Sequence, residues 1–95
     1  MKRIILLNIY FLIIFSAAAE TLVGRVFDGN EPMSYVSIYL KENPEIGTIS
    51  DMDGVFTLPD VQKNTTVVLS FVGYKTMELK VKKIPTDTLD ITMVE

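Results

Sequence analysis

Beyond residue 20, apolar and polar residues alternate with a period of two, and a helical period is nowhere sustained. Residues 21–27 predict a strand with Leu22 and Val26 on one face. Residues 35–41 set Val36, Ile38 and Leu40 against Tyr35, Ser37 and Tyr39. Residues 47–50 and 55–58 read as two short strands, the second with Phe56 and Leu58 inward. In residues 65–72, Val67, Leu69 and Phe71 oppose Val68, Ser70 and Val72. Both faces are largely apolar, which predicts a central strand. Residues 75–82 place Met77, Leu79 and Val81 opposite Thr76, Glu78, Lys80 and Lys82, and residues 89–93 alternate in the same way. Turn signals fall at 28–32, 42–45, 51–54 and 59–64, rich in Gly, Pro, Asn and Asp. About seven short strands at roughly ten-residue spacing predict an antiparallel β-sandwich. Periodicity leaves the pairing order open.

The first residues break this pattern. Lys2 and Arg3 precede an apolar stretch, 4–15, interrupted by Asn8 and followed by Ser16-Ala17-Ala18-Ala19. A basic start, an apolar run of this length and a small-residue site describe a cleaved signal peptide, 1–19. The run falls short of the ~20 residues of a spanning helix. The mature domain is then 20–95, exported, with no membrane span. Much of the mean hydropathy of +0.32 belongs to the leader. Losing Lys2 and Arg3 leaves seven cationic side chains against twelve anionic ones, a net charge of −5. Such an acidic domain is a poor partner for nucleic acid or an anionic membrane. A chain this short buries only about 60–65% of its unfolded surface. With no cysteine to staple it or to carry a lipid, it depends on its apolar core or on a partner.

Histidine is absent as well. The commonest general base, the commonest metal ligand and the thiol nucleophile are therefore missing together. No serine stands in a Ser-x-x-Lys arrangement. No enzyme and no cofactor are expected. Asp51-Met52-Asp53-Gly54 resembles the opening of a calcium loop, but the third acidic position and the distal glutamate are lacking. Asp51 and Asp53 are thus weak metal candidates, and the plainer reading is a hairpin turn closed by Gly54. Tyr35 and Tyr39, four apart on the outward face, and Tyr74 after the Gly73 bend are candidate ligand or partner residues. For Tyr74 the plainer reading is a ring folded over the sandwich edge with its hydroxyl tied to backbone. Lys80, Lys82 and Lys83 suit a solvated edge that discourages aggregation.

Several runs are similar to a known family. They are Val23-Gly24-Arg25-Val26-Phe27-Asp28, Glu31-Pro32-Met33, Val36-Ser37-Ile38, Gly47-Thr48 with Ser50-Asp51-Met52-Asp53-Gly54-Val55-Phe56-Thr57-Leu58, and Leu69-Ser70-Phe71-Val72-Gly73-Tyr74-Lys75. Together they resemble the carboxypeptidase regulatory-like domain. The resemblance implies a transthyretin-like (prealbumin-like), seven-stranded Greek-key sandwich. It also implies an accessory module of the periplasm or outer membrane without catalytic residues. In bacteria such domains often stand at the N-terminus of TonB-dependent outer-membrane receptors. The expected function is protein–protein contact in the cell envelope, with a TonB-dependent transporter as the candidate partner. The alternative is a module that binds a small ligand, glycan or calcium. The chain ends about where the receptors' TonB-contact segment would begin, so a free-standing module and a receptor head are both open.

Overall fold

The computed structural model describes residues 19–95. The expected leader, apart from Ala19, lies outside the described residues. Eight strands follow in order: β1 (Glu20–Asp28), β2 (Glu31–Pro32), β3 (Ser37–Leu40), β4 (Asn43–Ile49), β5 (Val55–Val61), β6 (Thr65–Ser70), β7 (Met77–Val81) and β8 (Leu89–Thr92). They form two four-stranded sheets. In the first, β1 is central, paired with β2 and β5 antiparallel and with β8 parallel. The second runs β4-β3-β6-β7, antiparallel throughout.

The inward faces follow the alternation of the sequence. Leu22, Val26, Val36, Ile38, Leu40, Phe56, Leu58, Val67, Leu69 and Ile91 are buried in one core between the sheets. β6 is the central strand that its two apolar faces predict, and Val68, on its outer face opposite Tyr39, is buried too. Gly24 sits in the middle of β1 because the Phe56 ring crosses it. A Cβ there would meet ring atoms at 2.5 and 2.6 Å.

The boundaries depart from the expected ones where the backbone is irregular. β4 begins at Asn43 and takes in Pro44 and Glu45, expected in a loop. Leu40 pairs with Asn43 and Tyr39 with Gly47, so 44–46 bulge out of the ladder. Pro44 is tolerated because β4 is an edge strand. β5 runs past Pro59 to Val61, where a turn was expected. One residue of β1, Thr21, there faces two of β5, and Asp60, at φ 60°, absorbs the extra one. The two-residue β2 forms inside the predicted 28–32 turn by hairpin pairing, Asp28 with Glu31. β3 starts only at Ser37 because Tyr35 has φ 64°, outside the strand region.

Candidate functional site

The register brings the turns 28–31, 33–36, 50–54 and 71–76 and the tail 93–95 to one end of the sandwich. Ser37 faces Ile49 on one side and Ser70 on the other, so β3 begins where β4 and β6 end. In the other sheet, Arg25 near the end of β1 meets the start of β5, and Phe27 meets Thr92.

Ser50 holds this end together. It is 1% exposed, the one buried polar side chain of the core among the described residues. Its hydroxyl donates to the Met33 carbonyl at 2.7 Å and accepts from the Val36 N–H at 2.9 Å. Its own N–H donates to the Val36 carbonyl, and its carbonyl accepts from the Tyr35 N–H. Both backbone groups and the hydroxyl are therefore paired, as a buried position demands. The hydroxyl is occupied in structure. No local signal marks this role: Ser50 reads as the end of a short strand, and its partners Val36 and Met33 lie 14 and 17 positions away.

Asp51 and Asp53 share the next turn, and both are exposed. Asp51 Oδ1 accepts from the Asp53 and Val55 N–H groups, each at 2.9 Å. The Asp51 N–H donates to the Val55 carbonyl, closing the loop. Gly54 has φ 78°, and a Cβ there would come within 2.7 Å of the Val26 carbonyl oxygen, so only glycine fits. The turn is not the hairpin expected from the sequence. β4 and β5 belong to different sheets, and the turn carries the chain from one to the other. No group of three or more metal-ligating side chains occurs among the described residues.

The three tyrosines lie apart. Tyr35 is 68% exposed at the end of the sandwich. Tyr39 is half-buried on the outer sheet face, paired with Val68 and Gly47. Tyr74 packs edge-on against Phe71, with ring centroids 5.8 Å apart. Its hydroxyl donates to Asp28 Oδ2 at 2.5 Å, a carboxylate instead of the expected backbone. That hydrogen bond, followed by partial burial and the Asp28 charge, pushes the Tyr74 hydroxyl up to about 12. The contact links the β6–β7 turn of one sheet to the end of β1 in the other.

The opposite end differs in character. A depression of about 380 Å³ there is lined by Glu20, Lys63, Lys82, Lys83 and Ile84. Two ion pairs occur among the described residues, Arg25–Asp90 and Lys41–Glu78, and both are half-exposed. Pairs of that kind add little stability.

No curated protein matches the chain. A family model described as CarboxypepD_reg-like domain matches residues 22–95, which takes in both sheets, the Ser50 clamp and the Tyr74 turn. The chain belongs to the carboxypeptidase regulatory-like domain family, and its β-sandwich is a domain of that non-catalytic kind.

Proposed function

We propose that the protein is an exported, non-catalytic module of the cell envelope that works by contact with another protein. The candidate partner is a TonB-dependent outer-membrane receptor, either as a separate chain or as the continuation of this one. The observation that carries the reading is the family match over 22–95, and the leader-like start of the sequence supports export. The sheet edges suggest how contact is made. β4 and β5 lie against each other at one corner, and both are broken by prolines and bulges, which makes them poor templates. β7 carries Lys80 and is followed by Lys82 and Lys83, which discourage pairing. β8, bonded to β1 along one side, is the edge best suited to strand addition.

Photo-crosslinking in cells tests this from a reactive residue placed at the exposed Thr92 of β8. The expected result is a chain in the envelope fraction and an adduct with an outer-membrane receptor. A chain retained in the cytoplasm, or one in the envelope that crosslinks to no protein from Thr92, contradicts the proposal.

A further inference from the structure

The large apolar side chains that are exposed among the described residues are Tyr35, Ile49, Met52, Val72 and Val94. Single exposed apolar residues are ordinary, but a cluster of them marks an interaction site. These five all belong to one end. Ile49 ends β4, Tyr35 precedes β3 and Val72 follows β6, so the three lie in order across neighbouring strands. Met52 projects from the turn that follows Ser50, whose carbonyl accepts from the Tyr35 N–H. Val94 is fixed beside them by the bond from the Lys75 N–H to its carbonyl. Val72 is 92% exposed and Met52 83%, and neither has a packing role in the core. Tyr35 adds backbone strain, since a bulky residue at φ 64° is unfavourable. Strain of this sort collects at binding sites.

The charges around these residues say what fits there. Asp28, Glu31, Asp51, Asp53 and Glu95 border the rim, against Lys75 and an Arg25 already paired with Asp90. Lys41, Lys63, Lys82 and Lys83 belong to the far end. A second copy of the chain would press one acidic rim on another, which like-charge repulsion opposes. We propose that this rim docks a protein segment that pairs aliphatic or aromatic side chains with lysine or arginine. The inference rests on the contact reading above and names a surface for it.

The test uses the isotope-labelled protein and a short synthetic peptide alternating leucine with lysine. The expected result is saturable binding, with amide shifts centred on Tyr35, Met52, Val72 and Val94. Met52→Ser with Val72→Ser, both exposed turn positions, should weaken binding roughly tenfold. Raising salt should weaken it several-fold. A peptide with glutamate for lysine, or serine for leucine, should not saturate. Equal binding of the glutamate peptide, or affinity unchanged in the double variant, overturns the rim. Shifts along β7 or β8 overturn it too, while leaving the contact reading intact.

Discussion

At the scale of single residues, three consecutive roles explain the acidic motif. Ser50 pairs the loop before β3 with the end of β4, Asp51 ties the turn to itself, and Gly54 lets it lie on β1. Ser50→Ala leaves the Met33 carbonyl and the Val36 N–H buried without their partner. At about 1–3 kcal/mol for each unpaired group, a loss of roughly 2–6 kcal/mol is expected in denaturant unfolding. Asp51 separates capping from charge. Asp51→Asn keeps an oxygen for the two backbone donors and should cost little, whereas Asp51→Ala should cost about 1–2 kcal/mol. Equal losses for the two variants would mean that the charge, and not the acceptor, is what matters. Tyr35 runs the other way, held at φ 64° at a cost of about 1–3 kcal/mol.

At the scale of elements, the inward faces were legible in the sequence because period two holds wherever the strands are regular. Val36, Ile38 and Leu40, and Val67 and Leu69, are buried as their alternation predicts. The strand ends were not legible where the ladder bulges. Pro44 and Pro59 signal a turn to any local reading, yet both sit in edge strands whose N–H is not needed by a neighbour. The 51–54 turn was recognised as a turn, but local signals do not say which sheet comes next. Ser50 was invisible as a clamp because its partners, Met33 and Val36, are set by tertiary packing. Of the candidate tyrosines, the sequence gives exposure only through alternation, and the Asp28 bond to Tyr74 spans 46 positions. Gly24 is an element-level device of the same sort. Gly24→Ala should displace the Phe56 ring and cost about 1–3 kcal/mol by overpacking. Combining it with Phe56→Leu should recover part of that loss. Strict additivity of the two changes would show that the ring and β1 do not compete for space.

At the scale of the whole molecule, two sheets with no disulfide depend on contacts that cross between them. The core does most of this, and the Tyr74–Asp28 bond adds a polar link at the docking end. Its pH dependence has a definite sign. The hydroxyl titrates at about 12 in the folded protein, above the ordinary 10.0, chiefly because it donates to Asp28. A group whose folded value is raised adds stability that is fully present below the unfolded value. That share is then lost as pH climbs through the folded one. Melting temperature should therefore fall between pH 10 and about 12. Lys41 is also raised, first by its hydrogen bond to Glu78 and then by that carboxylate's charge, so it contributes a fall of the same sign. Tyr74→Phe separates the two, since it keeps the edge-on contact with Phe71 and removes the hydroxyl. The variant should melt lower at neutral pH and lose less on alkaline titration, so that the two curves converge. Curves that stay parallel to the top of the range would show that the hydroxyl bond does not couple the sheets in solution.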